Sequence, residues 1–497
     1  MIGIGYMKVF LGMIRFNIKV LILVGLFFMG GLLYFFNSLY FQERYLGSQI
    51  ISYKSIEQIK STHTEYSGKI DLYFNGKNIP YSNSDNFYLL HIENENDYKK
   101  IYTKSDYKIR IINIENNYSM NLFLYNDKYY KEVKLNITNI PVINIDYNKQ
   151  INFYGFGFDI SGLKCNYTIR GDSSQNSLKK SYKLSLKNQK DQDLSLPLLN
   201  MRSNNTWVLN SIFFDNSYMR EKISYDIWNA LSSDFNHTIE YIELVINNNY
   251  QGLYYLVETV NMDTFNGNKQ DDLLVSVKSW GTALESLGID EQLEANSEVI
   301  DEFEIESGLE EYPETQSDIL DSYRLLILDE KSIIEIKYDI ENIINYQLFL
   351  NFTMARDNTY KNQKVLFRNM NSYYLVQKTV WDIDWTFNNE NIYRFNNKLN
   401  VDINDVDIDL GIPKSLRNDE LYLRLIKNKY YEFKENYFNE KNLFEIIEKY
   451  RKYLELYGAV NRDMEKWDNK DYLESINILE KFINQRIKVL DKYYGGL

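Results

Sequence analysis

The spacing of apolar and polar positions changes twice along the chain. Short alternating runs, such as those over 69–74 and 120–125, predict a small β-rich domain over residues 42–138. In the following domain, 139–497, strand-like and helix-like patterns alternate, and from about 419 to 494 the spacing is helical throughout. The pattern therefore predicts an α+β fold in which the larger domain follows the smaller one.

The amino-terminal 41 residues contain a long apolar segment. Residues 20–36 carry no charged side chain, and Leu39-Tyr40-Phe41 extends the stretch to about the 20 residues that a helix needs to cross a bilayer. Basic residues precede it, which favours the cytoplasm for that end, and no small-x-small cleavage site follows. We therefore interpret 1–41 as a cytoplasmic stub and an uncleaved single-pass membrane anchor, rather than as a cleaved signal peptide.

The composition of the chain argues against several classes of partner and of site. The net charge of −13 argues against nucleic acid as a partner and favours a basic protein. Cys165 is the single cysteine of the chain and there are three histidines, which argues against a disulfide framework, a zinc cage and a Cys/His nucleophile. A metal would therefore be held by oxygen atoms, which suits Mg²⁺, Mn²⁺ or Ca²⁺.

Two acidic segments carry the candidate chemistry. Asp357 and Asn362 stand five positions apart, and Trp381-Asp382-Ile383-Asp384 follows. Protein kinases use an Asp-x4-Asn loop followed by a second Asp to accept the proton of the acceptor hydroxyl and to hold Mg²⁺ on the nucleotide phosphates. The order predicts Asp357 as the base and Asn362 and Asp382 as metal ligands. Alternation on an extended segment would place Asp382 and Asp384 on one face, whereas a turn would break that alternation. A calcium site without catalysis is the alternative.

A basic segment upstream is a candidate phosphate site. Arg170 precedes a glycine turn that contains Ser174, and Lys180 and Lys183 follow it. Glycine allows backbone N–H groups to approach an anion, and an extended lysine can reach a phosphate as a point charge. The alternative is a basic edge strand exposed to solvent.

Three further acidic features remain open. Glu258 ends a strand that is predicted to pass into a hinge beside the adenine, although ordinary edge packing explains it equally well. Glu221 opens a helix, where it either pairs with a phosphate-binding lysine or favours the helix amino end. The acidic stretch of about 282–323 is predicted to be a solvated insertion that does not shape the core.

These pieces occur in one order along the chain, and together they resemble the CotH family of spore-coat protein kinases from about residue 140 to 490. The motifs that carry the resemblance are Arg170-Gly171-x-x-Ser174, Lys179-Lys180-x-Tyr182, Trp207-x-Leu209, Asp215-x-Ser217-x-Met219-Arg220, Asn249-Tyr250-x-Gly252-x-Tyr254-x-x-x-Glu258, Asp357 to Asn362, and Trp381-Asp382-x-Asp384. The chain departs from the family at Asp172, where Asn is common, and at Leu178, where Pro is common.

The resemblance implies an atypical, bilobal protein-kinase-like fold that uses ATP with Mg²⁺ or Mn²⁺ to phosphorylate serines of coat proteins. It implies that Asp357 is the catalytic-loop aspartate, that Asp382 and Asn362 bind metal, and that Lys180 or Lys183 contacts the phosphates. We expect a membrane-anchored Ser/Thr kinase that acts on a basic, serine-rich protein of the spore coat or cell envelope. The alternatives are an inactive CotH-like coat or surface protein that binds partners, and a metal-dependent hydrolase.

Overall fold

The structure is a computed structural model, and it divides the chain into two compact units. The first runs up to Asn139 and includes the hairpin tip Val245–Tyr250, and the second comprises Ile140–Leu244 and Gln251 onward. The residues that the structure describes are 46, 50–157, 163–171, 177–232, 235, 237–278, 303–359, 361–389, 402–406, 409–469 and 471–496.

The first unit is built mainly from β-strands. One sheet has the order β4-β5-β9-β8-β7 with β1 paired to β9, and a second, smaller sheet has the order β3-β2-β6. Its elements are α1 (Tyr53–Lys60), β1 (Thr64–Glu65), β2 (Leu72–Phe74), β3 (Lys77–Asn78), β4 (Tyr81–Ser82), β5 (Phe87–His91), β6 (Tyr102–Thr103), β7 (Lys108–Asn116), β8 (Ser119–Tyr125) and β9 (Tyr129–Thr138). Val133 and Leu135 of β9 are buried while Lys134 between them is more exposed, as strand alternation requires.

The second unit begins with a closed barrel of seven strands. The strand order around it is β10-β11-β12-β13-β16-β18-β17. The strands of this region are β10 (Val142–Ile145), β11 (Gln150–Tyr154), β12 (Leu163–Arg170), β13 (Ser181–Lys187), the separate pair β14 (Leu196–Pro197) and β15 (Ser203–Asn204), β16 (Thr206–Asn210), β17 (Ile239–Ile246) and β18 (Asn249–Glu258).

A five-stranded sheet and a group of helices complete the second unit. The sheet has the order β20-β19-β22-β23-β21. Its strands are β19 (Leu273–Val277), β20 (Phe303–Ser307), β21 (Ile336–Tyr338), β22 (Gln363–Asn369) and β23 (Tyr374–Val380). The helices of this unit are α2 (Arg220–Leu231), α3 (Pro313–Ile327), α4 (Ile340–Thr353), α5 (Lys414–Arg417), α6 (Glu420–Asn436), α7 (Glu440–Glu455), α8 (Ala459–Trp467) and α9 (Tyr472–Gly496). The described architecture confirms the α+β class and the helical carboxyl-terminal region.

One hydrophobic core joins the barrel to the helices. Helix α4 is buried on nearly every side, and its buried residues include the polar Asn342 and Asn351 as well as the apolar ones. It packs with Trp228 of α2 and with aromatic residues of α6 such as Phe433. Asp339 caps its first turn by accepting a hydrogen bond from the Asn342 N–H. The loop that follows α4 therefore starts from a fixed support.

The acidic stretch contributes to the core, which corrects one prediction. Residues 279–302 lie outside the described residues, but 303–323 form β20 and most of α3. Phe303, Ile319 and Tyr323 are buried in the core of the five-stranded sheet. Because Ile319 and Tyr323 are four positions apart, they lie on one face of α3, and its acidic side chains occupy the exposed face.

The predicted membrane localisation is contradicted. None of the helices among the described residues is both long enough and apolar enough to cross a bilayer. The longest of them, α9, is interrupted by charged residues such as Lys481 and Arg486, which are costly in hydrocarbon. The apolar stretch on which the prediction rested, 20–41, lies outside the described residues.

Candidate active site

The predicted catalytic loop leaves the carboxyl end of α4. Met354 adopts a left-handed backbone conformation with φ of 51° and ends the helix, and Asp357 follows in the 3-10 turn Arg356–Thr359. The Asp357 side chain is 14% exposed, and its Oδ2 lies 3.3 Å from Nζ of Lys361. The carboxylate is thus held near the surface of a rigid element, where a substrate can reach it.

Asn358 joins the two acidic segments. This residue is 1% exposed, and its Nδ2 donates hydrogen bonds to the backbone oxygen of Asn362 at 3.0 Å and to that of Trp381 at 2.8 Å. Its own backbone oxygen accepts from the Gln363 side chain at 2.8 Å. Because Trp381 immediately precedes Asp382, one buried amide fixes the predicted catalytic loop beside the predicted metal-binding turn.

Both predicted metal ligands adopt the left-handed backbone conformation. The φ angle is 54° at Asn362 and 55° at Asp382. Asn and Asp tolerate this region better than other non-glycine residues, and such conformations concentrate at functional sites. Strand β23 ends at Val380, and the left-handed backbone of Asp382 makes 381–384 an irregular rather than an extended segment. The alternation that would have aligned Asp382 with Asp384 is therefore broken.

The carboxyl groups of Asp357, Asp382, Asp384 and Glu221 interact electrostatically, with Asp384 affected by both predicted-site aspartates. Burial, followed by the charges of Asp382 and Asp357, raises the pKa of Asp384 to about 8. Burial, followed by the charges of Asp384 and Asp382, also raises the pKa of Glu221 well above its usual value. Asn210 of β16 donates a hydrogen bond of 2.8 Å to Oε2 of Glu221. When the negative charge of one carboxyl group disfavours ionisation of the next, a cation bound among them is stabilised by all of them.

Two cations offset part of this charge. Lys361 and Arg170 both act to lower the pKa of Asp384. Two negative charges remain if all four carboxyl groups are ionised, which is the charge that one divalent cation would neutralise. Within the described part of the chain, no three Asp, Glu, His or Cys side chains are already arranged as ligands of one metal ion. The oxygen donors and their unbalanced charge nevertheless fit Mg²⁺ or Mn²⁺.

This electrostatic arrangement predicts a pH dependence of stability. The pKa of Asp384 is raised from 3.8 to about 8, so its stabilising contribution is complete below the unfolded value and is lost as pH rises through about 8. Without divalent cations, the wild type should lose more thermal stability between about pH 5 and about pH 9 than Asp384→Asn, which has no such proton to lose. Thermal unfolding at both pH values measures this, and equal losses in the two proteins would contradict it.

Arg170 and Lys183 lie on the sheet face that turns toward the carboxyl groups. Thr168 and Arg170 point to one face of β12, and across the ladder Thr168 is opposite Lys183, which is opposite Val208. Asn210, two residues after Val208, shares that face and reaches Glu221. Lys183 is exposed, and the Arg170 guanidinium lies 5.6 Å from the centre of the Trp381 ring. Arg170 therefore lies beside the residue that precedes Asp382, and Lys183 shares its sheet face.

The other predicted nucleotide-binding residues are placed differently. Lys180 precedes β13, and its backbone oxygen accepts a hydrogen bond of 2.9 Å from the Tyr254 hydroxyl. Glu258 is buried in an ion pair with Arg202, at 2.9 Å, and accepts from the Thr238 N–H. The predicted position Ser174 lies outside the described residues. The structure thus brings together Asp357, Asn362, Asp382 and Arg170, with Lys183 on the same side, and gives Glu258 a separate ion pair.

Comparison with models of known protein families shows which family the chain belongs to. The family model described as CotH kinase protein matches residues 168–490, which is most of the chain. The chain belongs to the CotH kinase family. No curated protein matches it. The α+β fold and the family together support a kinase-like protein.

Several motif residues of this CotH kinase have structural roles. Lys179 is buried, and its Nζ donates to Asp463 and to the Leu253 backbone oxygen, both at 2.6 Å. Asp463 also accepts from the Leu253 N–H at 2.7 Å. Gly252 has φ of +103°, and a Cβ there would lie 2.0 Å from Oδ1 of Asp463. The glycine is therefore required by the close approach of a buried carboxylate.

A second motif fixes the start of α2. Asp215 accepts hydrogen bonds from the backbone N–H groups of Met219 and Arg220 and from the Arg220 guanidinium. Its negative charge also suits the amino end of the helix. The motif thus orients the turn from which Glu221 extends toward Asp382.

Sequence reasoning missed three parts of the site. It left Glu221 between two other roles, and it did not single out Asn210 or Asn358. Asparagine is common throughout this chain, so neither position carried a local signal. The sequence shows that Asn358 follows Asp357. It does not show that the Asn358 amide donates to the Trp381 backbone oxygen, because that contact depends on the tertiary fold.

Proposed function

We propose that this CotH kinase transfers the γ-phosphoryl group of ATP to Ser or Thr hydroxyls of a basic, serine-rich protein of a coat or envelope, with Mg²⁺ or Mn²⁺. The observation that carries the proposal is the bridge by Asn358, which places the Asp357 loop beside the Asp382 turn. These are the two segments that a kinase needs in one place. The negative charge of the chain supports a basic substrate.

Asp357 orients the acceptor hydroxyl and takes its proton. The hydroxyl oxygen forms a bond to the γ-phosphorus, the bond from that phosphorus to the bridging oxygen breaks, and its electron pair leaves with ADP. Asn362 and Asp382 would hold the metal ion, which supplies neutralisation of the triphosphate charge when bound. Arg170 and Lys183 bind phosphate oxygens from the sheet face, with Ser174 and Lys180 as further proposed contacts.

Glu258 keeps a proposed role beside the nucleotide base. Its carboxylate is held by Arg202 and by the Thr238 N–H at the end of β18. In this arrangement it fixes the end of the strand, and adjoining backbone groups would contact the base. The bilobal kinase-like architecture is part of the same proposal.

A thermal-shift experiment tests the function. At saturating ATP with Mg²⁺, we expect the unfolding midpoint to rise by roughly 3–5 °C, because a ligand at about 100 times its Kd stabilises the folded state by about 2.7 kcal/mol. The rise should be much smaller when Mg²⁺ is chelated, and it should be lost in Asp382→Asn.

The matched control is Asp191→Asn, which removes an exposed carboxylate paired with Lys164 at 3.0 Å. This variant should keep the full Mg²⁺-dependent shift. Absence of any shift in the wild type would favour the inactive binding protein and would overturn the proposed kinase activity.

A further inference from the structure

Lys361 stands between the predicted base and the predicted metal ligand in sequence. It follows Asp357 by four positions and immediately precedes Asn362. Its Nζ is 3.3 Å from Oδ2 of Asp357, and its side chain is 28% exposed. Both side chains are partly buried, and the contact joins two residues of the same connection between α4 and β22.

The position of Lys361 is set by the same elements as the site. The loop is held at one end by α4 and at the other by β22, and the Lys361 N–H donates to the Asp357 backbone oxygen at 2.9 Å. The backbone of Lys361 is therefore held beside that of Asp357, and its ammonium group is carried on a four-carbon stem with rotatable bonds. Together with Arg170, this lysine supplies the positive charge that acts on Asp384.

The geometry of phosphoryl transfer brings the γ-phosphate of ATP within reach of the Lys361 side chain. An acceptor hydroxyl that hydrogen-bonds to Asp357 approaches the γ-phosphorus to about 3–3.5 Å before attack. The oxygens of that phosphoryl group therefore lie close to the Asp357 carboxylate, which Lys361 already reaches. A carboxylate that accepts the substrate proton works better once its own counter-ion has another partner, because the counter-ion stabilises its charged form.

We propose that Lys361 is a further catalytic residue, which moves from Asp357 to an oxygen of the γ-phosphoryl group when ATP binds. This inference rests on the proposed kinase function. Lys361 forms and breaks no covalent bond in this step. Its ammonium group offsets the negative charge on the transferring group, while the bonds that form and break are those given above.

The substitution Lys361→Met tests the assignment through the difference between ATP and ADP. ADP lacks the γ-phosphate, so the variant should bind ADP within about twofold of wild type and bind ATP about tenfold more weakly, as expected for loss of one charge-assisted hydrogen bond. Titration calorimetry in Mg²⁺ measures both. The kcat should fall roughly 100-fold, and Lys361→Arg, which keeps the charge, should recover part of it.

Lys452→Met is the matched control, since it also removes a lysine that pairs with a carboxylate four positions away, at 3.4 Å from Glu448. It should leave both affinities and kcat unchanged. If Lys361→Met binds ATP with wild-type affinity, the inference is overturned even if kcat falls, because a lysine that only holds Asp357 would give that result. If the wild type binds neither nucleotide, the proposed function fails and this assignment fails with it.

Discussion

Replacing Asp357 by Asn should lower the rate of phosphoryl transfer to protein by roughly 10²–10⁴-fold, the usual contribution of a positioned general base. Asparagine keeps the size and the hydrogen-bonding reach of the side chain but cannot accept the hydroxyl proton. Because the loop backbone is held by Asn358 and by the end of α4, we expect the fold to be unchanged. Mg²⁺·ATP binding should remain, and labelled phosphate transfer to a basic, serine-rich peptide measures the loss.

The matched control for this experiment is Asp405→Asn. Asp405 forms an ion pair of 2.5 Å with Arg356, the residue before Asp357, and its side chain is 48% exposed. The substitution removes a carboxylate that contacts the residue before Asp357 but is not one of the four interacting carboxyl groups. A normal transfer rate in Asp357→Asn, or an equal loss in Asp405→Asn, would show that Asp357 is not the base.

Local sequence was sufficient to locate the candidate catalytic loop between its two flanking elements. Asp357 and Asn362 lie within one short turn between a helix and a strand, and both flanking elements have strong patterns. Pairing that loop with the 381–384 turn required only the β22–β23 hairpin, which brings the chain back beside itself. Short-range connections of this kind are visible in a sequence, because hairpin register is set by the turn and the alternation of residues.

Long-range partners could not be predicted in the same way. Glu221 and Arg170 reach the acidic turn from α2 and β12, more than one hundred residues earlier in the chain. Their positions depend on strand order in the barrel and on the rotation of α2. The local sequence pattern indicates that the strand and the helix exist, but it specifies neither the strand order nor the rotation of the helix.

Two lysines of the basic segment, Lys179 and Lys183, differ in burial in a way that the sequence did not predict. Lys179 is fully buried against Asp463, whereas Lys183, four positions later, is exposed on the face beside Arg170. Lys179 lies before the first residue of β13, so strand alternation does not set its direction, whereas Lys183 lies within the strand. The acidic stretch shows the same effect, since Tyr323 packs into a core while neighbouring carboxylates of α3 remain in solvent.

A buried ion pair is connected by hydrogen bonds to the loop that contains Asp357. Nζ of Lys378 in β23 lies 2.6 Å from Oδ2 of Asp409, and both side chains are fully buried. Oδ1 of Asp409 accepts from the Gln363 side chain at 3.1 Å, and Gln363 in turn donates to the Asn358 backbone oxygen at 2.8 Å. The pair is thus the far end of a hydrogen-bonded network whose other end is the bridge between the Asp357 and Asp382 turns.

Replacing Lys378 by Met should lower the free energy of unfolding by about 3–5 kcal/mol, because it leaves the Asp409 carboxylate buried without its counter-ion. Urea-induced unfolding measures the change.

The double variant Lys378→Met/Asp409→Asn isolates the cause. It removes the uncompensated charge while keeping a side-chain oxygen for Gln363, so it should be more stable than Lys378→Met alone. If the single variant is as stable as wild type, the network is not under the electrostatic constraint that the structure indicates. If the single variant is destabilised as expected, the double variant should also recover Mg²⁺-dependent ATP binding at temperatures where the single variant unfolds, since the position of Asn358 depends on the Gln363 contact rather than on the charge itself.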